Sequence, residues 1–168
     1  MMSTQASTGS AKVTLPADDQ ILITREFNAP KHLVYTAYTT PELVARWWPS
    51  VHGTMKLTEI DLRVGGQWRY VMEANGGFEV GFHGEYREII PNEKLVYTEI
   101  YEGVPGGSEA GLNTITFSET EGRTLMTMLC EYSSKQVRDI VIESGMEHGM
   151  QAGMDILEQI AIELSAGA

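Results

Sequence analysis

Hydrophobic and polar positions alternate with a period of two through the middle of the chain and of about 3.6 near its end, and the two regimes predict strands and a long helix respectively. The helical regime is clearest from Gly145 to Leu164, where Gly-Met pairs recur at intervals of four and Met146, Met150, Met154, Leu157, Ala161 and Leu164 trace one stripe. No proline interrupts it, so a helix about 30 Å long is expected, enough to cross a small domain. Inside a helix Gly149 and Gly153 each cost roughly 1 kcal/mol relative to Ala. Either something approaches the backbone there, or space is left beside Met150 and Met154.

Earlier in the chain, Ile21, Ile23 and Phe27 share one face of a strand that Asn28-Ala29-Pro30 ends. Leu33, Val34 and Ala37 then predict a short helix over Lys31 to Tyr38. Thr40, as N-cap, and Pro41 open a second from Pro41 to Trp47. Strands follow over Thr54 to Leu62, Gln67 to Glu73, Phe78 to Ile90, Lys94 to Tyr101, Leu112 to Glu119 and Arg123 to Tyr132, most of them separated by glycine-bearing turns. Because no helices intervene, the sheet is an antiparallel meander. Trp68, Tyr70 and Met72 form the apolar face of one strand. Asp61 and Arg63 are placed two apart on another, as a surface pair. Ser133 with Gln136 suggests a capping box for a helix with Val137, Ile140 and Val141 inward, and Gly145 is its C-cap or a bend.

One layer of sheet and one long helix each have a single apolar face to bury, so the expected fold class is α+β. A curved sheet of six to seven antiparallel strands wraps the C-terminal helix, with two short helices after the first strand. Residues 1–19 are rich in Ser, Thr, Ala and Gly and read as a flexible tail without signal-peptide character, leaving a single domain over 20–166. The 12 basic and 23 acidic residues give a net charge of -11, which argues against nucleic acid and anionic membranes as partners. No apolar run is long enough to span a bilayer. The single cysteine, Cys130, fits a reducing cytoplasm and reads as a small buried hydrophobe. The six acids from Asp139 onward, unaccompanied by Lys or Arg, read as a solvated face of the last helix.

Three separated segments, Thr39 to Trp48, Asp61 to Trp68 and Gly84 to Thr98, resemble homologues of the heat shock protein 90 ATPase activator, within the START-like, Bet v 1-like superfamily. The resemblance covers roughly Ile21 to Leu164 and implies a helix-grip fold. It also implies a mixed range of functions: chaperone contact in namesake members, binding of hydrophobic small molecules in more distant ones, and polyketide cyclase or dehydratase chemistry in some. Many relatives carry Gly-Trp at the start of the last helix, where this chain has Gly-Met repeats.

The chemistry expected is therefore that of a cavity between sheet and helix for a small hydrophobic molecule, lined by Trp68, Tyr70, Phe82, Tyr86, Tyr97, Met126, Met128, Met150, Met154 and Leu157. A chaperone-interacting module and a cyclase-like enzyme are the alternatives. His32, His52, His83 and His148 lack the spacing of local metal motifs, and neither a nucleophile elbow nor a phosphate-binding loop occurs. No metal, cofactor or catalytic residue is assigned. Glu99, on one strand face with Tyr97 and Tyr101, is the acid–base candidate that a desolvated pocket would create. The loop Gly103 to Gly111 reads as a long hairpin or a mobile rim, and both monomer and homodimer fit the sequence.

Overall fold

The computed structural model describes residues 11–102, 110–144 and 146–167. Among them lie β1 (Lys12–Thr14), β2 (Gln20–Phe27), α1 (Lys31–Thr39), α2 (Pro41–Trp47), β3 (Gly53–Ile60), β4 (Gln67–Ala74), β5 (Glu79–Ile90), β6 (Lys94–Tyr101), β7 (Gly111–Thr120), β8 (Arg123–Glu131), α3 (Lys135–Glu143) and α4 (Met146–Gly167). One eight-stranded antiparallel sheet runs in the order β1-β2-β8-β7-β6-β5-β4-β3. The meander from β3 to β8 is thus extended by β2, which returns beside β8 and pairs Ile21 with Cys130 and Ile23 with Met128. Its inner face packs on α4 through Ile21, Ile23, Met126, Met154, Leu157 and Ile160, all buried. This is the helix-grip arrangement expected from the order of elements.

Three differences lie outside this frame. The sheet gains an eighth strand because Lys12–Thr14, within the stretch read as a flexible tail, pairs with β2, Val13 opposite Ile23. Gln151 on α4 holds the same segment from the other side, its amide donating to the Ala11 carbonyl and accepting from the Ala11 N–H, both at 2.9 Å. Helix α3 is capped by Ser134, not Ser133, and the Ser134 hydroxyl oxygen accepts from Val137 N–H at 3.2 Å. Its inward position belongs to the buried Arg138, which donates to the carbonyls of Ala17 and Gln20, so Ile140 is turned out and 66% exposed. Asp61 and Arg63 do pair, at 2.9 Å, but in the turn after β3 and not on the strand. The Gly145 cap and the 103–109 part of the glycine-rich loop lie outside the described residues.

Helix α4 is fixed to the sheet by charge as well as by apolar contact. Arg25 follows the alternation of Ile21 and Ile23, so β2 carries a guanidinium on its apolar face, where it is 2% exposed. Its Nη2 donates to Glu158 Oε1 at 2.9 Å and its Nη1 to Asp155 Oδ1 at 2.7 Å, while the Asn28 N–H donates to the other Glu158 oxygen at 2.8 Å. Phe27 stacks beneath the guanidinium at 5.1 Å. The expectation of a wholly solvated acidic helix face therefore fails at Glu158, which is buried and paired.

The helix glycines have different neighbours. A Cβ built on Gly153 would lie 2.9 Å from the Trp47 carbonyl oxygen, whereas one on Gly149 would meet the His52 ring, Nε2 at 2.8 Å. Backbone cannot yield easily, but the exposed His52 side chain can. Gly153 is thus required by close approach between α4 and the end of α2.

Two outcomes are expected. Arg25→Met, which strands Glu158 without its partner, should lower unfolding stability in urea by about 3–5 kcal/mol; a loss below about 1 kcal/mol would show that the pair does not anchor α4. Gly153→Ala should be destabilising by about 1–3 kcal/mol despite its helix propensity, whereas Gly149→Ala should be neutral or stabilising by up to about 1 kcal/mol. Equal effects at the two positions would contradict the contact assignment.

Candidate functional site

The site grows from an irregularity where β4, β5 and β6 meet. Trp68 on β4 is paired with Gly84 on β5, and its indole crosses that glycine to donate from Nε1 to the Thr98 carbonyl of β6 at 3.1 Å. A Cβ at Gly84 would fall 1.7 Å from that carbonyl and 2.7 Å from the indole nitrogen, so only glycine fits. The Glu85 N–H turns to the Thr98 hydroxyl at 2.9 Å, and the β5–β6 register shifts between Tyr86 and Glu88. This interruption lies beside Glu99.

On the inner face at this point the side chains enclose a cavity of about 20 Å³, space for roughly one water. Its walls are indoles and phenols. Trp68 and Tyr70 come from β4, Tyr86 from β5 and Tyr97 from β6; Tyr38 closes it from α1, with Trp47 and the following Trp48 from the end of α2. Leu95 supplies the single aliphatic wall and Glu99 the single carboxyl group. The rings brace one another: Trp68 lies 4.7 Å from Tyr70 and 5.6 Å from Tyr97, and Tyr38 lies 5.1 Å from Trp47. Trp48, half-buried, stands edge-on to both Tyr70 and Phe82 at 5.3 Å.

The polar groups are arranged by the same rings. The Tyr38 and Tyr97 hydroxyls bond each other at 2.8 Å, and Trp47 Nε1 donates to the Ala37 carbonyl at 2.9 Å. Glu99 Oε1 accepts from Asn113 Nδ2 at 2.9 Å. Burial raises the Glu99 carboxyl above the usual carboxylate range, partly opposed by the Asn113 bond, and it raises the phenols of Tyr38, Tyr70, Tyr86 and Tyr97 in the same way. Cys130 is held as a thiol, pushed up to about 12 by its burial. Behind the cavity, on the outer sheet face, the Arg69 guanidinium holds Glu102 down at about 2 in a bidentate pair, with His83 Nδ1 2.7 Å from the same carboxylate.

Of the residues expected to line a cavity, Trp68, Tyr70, Tyr86 and Tyr97 surround this one. Phe82 stands one layer out, packed on Trp48 and on Tyr101. Met126, Met154 and Leu157 are core residues, and Met128 and Met150 pack half-buried against that core. The methionines thus fill the space between α4 and the sheet, and the cavity lies toward α1 and α2. Tyr38, Trp47, Trp48 and Leu95 were not expected there. The signal for two of them was the adjacent tryptophans at the end of a short helix, a large apolar area at a position where that helix had to meet something.

A curved antiparallel sheet gripping a long C-terminal helix, with an aromatic cavity beneath the two short helices, defines a START-like domain. The sequence pattern of the activator of Hsp90 ATPase homolog 1-like proteins matches residues 28–161, and the chain belongs to that family. Among solved structures, a Rhodobacter sphaeroides protein is 23% identical, with a TM-score of 0.81 over 94% of this chain and 99% of its own. A Nitrosomonas europaea protein is 22% identical, with a TM-score of 0.79 over 90% and 99%. The Mycobacterium smegmatis protein Ms6760 is 24% identical, with a TM-score of 0.77 over 95% and 100%. At these identities the likeness shows the fold alone. No curated protein matches the chain. Among the described residues, no helix is long and apolar enough to cross a membrane.

The raised Glu99 carboxyl has a consequence for stability. Below the ordinary carboxylate pKa, near 4.5, both folded and unfolded forms are protonated and burial carries no charge penalty. As pH rises, the unfolded chain loses its proton first, so stability falls until the folded-state pKa is passed. Glu99→Gln should therefore leave stability at pH 4 nearly unchanged and increase it at pH 7, measured by urea unfolding at both values. An equal effect at both would mean that Glu99 is not desolvated.

Proposed function

We propose that this protein is a START-like binding domain whose aromatic cavity takes a small, largely apolar molecule. The observation that carries the reading is the lining itself: rings from α1, α2, β4, β5 and β6 converge on one point with a single carboxyl group. Convergent aromatic walls with few polar groups are the general form of small-molecule sites. The cavity in its closed form accepts a group about the size of one water, so a larger body enters when Trp48 swings outward. Trp48 is suited to this, being half-buried at a helix end and held edge-on by two rings, contacts worth about 0.5–1.5 kcal/mol each.

Binding is better supported than turnover. Burial makes the surrounding phenols poorer acids, and Glu99 is the one carboxyl group in the lining, so no acid–base pair with separated pKa values faces the cavity. The chaperone-binding alternative draws on the family alone.

Benzyl alcohol titrated into the protein and followed by tryptophan fluorescence is expected to bind one to one in the millimolar range or tighter. Leu95→Phe, which fills the cavity from its aliphatic wall, should weaken that binding at least about tenfold, with the fold checked by circular dichroism. A folded Leu95→Phe variant that binds as well as the parent would place the ligand elsewhere.

A further inference from the structure

The lining also says which polar group a ligand brings, an inference that rests on the binding reading above. Seven of its nine residues are aromatic, one is a carboxylic acid, and none is Lys, Arg or His. Two of the indoles have spent their N–H outside the cavity, Trp47 on the Ala37 carbonyl and Trp68 on the Thr98 carbonyl. These two rings offer a guest the electron-rich π system rather than a donor, and Trp48, Tyr70 and Tyr86 bring only neutral donors. The Tyr38 and Tyr97 hydroxyls are engaged with each other, and the Asn113 amide donates to Glu99 Oε1. No described residue donates to the other Glu99 oxygen. The cavity is therefore rich in acceptors and ring faces and poor in charged donors. An anionic guest would meet a carboxyl group and no counter-ion, and a neutral apolar guest would leave that carboxyl group desolvated without a partner.

We propose that the cavity receives the head of a protonated amine, with Glu99 as its counter-ion and the rings around it, Trp48 and Tyr70 among them, as cation–π walls. Rings within about 6 Å of a cation attract it most when water is excluded, and an ammonium N–H to a carboxylate is a strong, charge-assisted bond. The volume agrees: about 20 Å³ beside Glu99 suits an ammonium head, and the apolar body extends past Trp48. The chain's net charge of -11 enriches cations near its surface and assists their encounter.

The test uses three probes of one shape, benzylamine, benzyl alcohol and benzoate, at pH 7 with the full chain. Benzylamine is expected to bind at least about tenfold tighter than benzyl alcohol, and benzoate more weakly than either. Glu99→Gln should remove the preference for the amine, bringing the ratio of benzylamine to benzyl alcohol affinity to about one. Trp48→Leu, which removes a half-buried ring face, should weaken the amine more than the alcohol. Benzyl alcohol binding as tightly as benzylamine overturns the amine assignment and leaves the binding reading standing. So does a preference that survives in Glu99→Gln, since the cation is then held on the acidic surface. Failure of all three probes to bind at millimolar concentration overturns both readings. Methylammonium and dodecylphosphoethanolamine, the latter below its micelle-forming concentration, separate the sources of such a head: tighter binding of the first assigns a free amine, and of the second a lipid headgroup.

Discussion

The fold depends on a guanidinium placed where the sheet should be greasy. Arg25 is buried on the inner face of β2 and reaches α4 through Glu158 and Asp155. Desolvating both charges is costly, and only the close pairing and the extra bond from the Asn28 N–H offset it. Such a pair adds little net stability over a hydrophobic replacement, but it distinguishes one rotation of α4 from its neighbours. Turning the helix by one residue, about 100°, would leave Arg25 facing an apolar side chain. With the rotation set, Met154, Leu157 and Ala161 point inward, and Gly153 meets the Trp47 carbonyl. Trp47 in turn donates to Ala37 and closes the cavity. Strand β2 thus positions a wall of the site through three successive contacts.

A second constraint shapes the opposite wall. The Trp68 indole can cross β5 only because Gly84 has no side chain, and by taking the Thr98 carbonyl it replaces a rung of the sheet ladder with a side-chain bond. Regular pairing resumes on either side, at His83 with Ile100 and at Tyr86 with Tyr97. The gap is where the Glu99 carboxyl turns into the enclosed space, steadied by Asn113 from β7. On the outer face the Arg69, His83 and Glu102 cluster ties the same three strands together. The irregular stretch is therefore held from both sides, and the carboxyl group is presented on a rigid support.

Much of this was legible in the sequence. Alternation placed Ile21, Ile23 and Phe27 on one face, and the same alternation puts Arg25 with them. Glu158 likewise falls inside the stripe of Met154, Leu157 and Ala161. Both positions are visible in the pattern, but residue type alone places an acid near the chain end in solvent, whereas its helical phase places Glu158 inward. The three family motifs between Thr39 and Thr98 carried the architecture and contain six of the cavity residues, Trp47, Trp48, Trp68, Tyr86, Leu95 and Tyr97. The cavity's location was not legible, because helical spacing shows which side chains point inward without showing where two curved surfaces part. The sheet closes on α4 tightly enough for Met154 and Leu157 to become solid core, and the surfaces separate instead beneath α1 and α2. The Gly-Met repeats illustrate the limit: periodicity exposed their cost, but only the approach of the Trp47 carbonyl gives Gly153 its reason.

On the binding reading proposed above, a cavity this small in a fold this firmly clamped would divide the work of binding between two kinds of side chain. The inner rings, Trp68, Tyr70 and Tyr97, are braced against each other and lie on strands, so they lose little freedom when a guest arrives. Trp48 is the exception, at a helix end with Pro49 after it and Ser50 in the left-handed region at φ 49. Swinging it out breaks two edge-on ring contacts, about 1–3 kcal/mol together, and the apparent affinity of any guest larger than the cavity falls by the corresponding population factor. A guest must recover that cost from contacts made only in the open form. Apolar area against Trp48 and Phe82 would supply part of it, and a bond to the half-buried Glu99 the rest. For such a site, selectivity for size and selectivity for charge would not be independent, since a guest too small to displace Trp48 gains little area, and one without a donor for Glu99 gains little from opening the cavity.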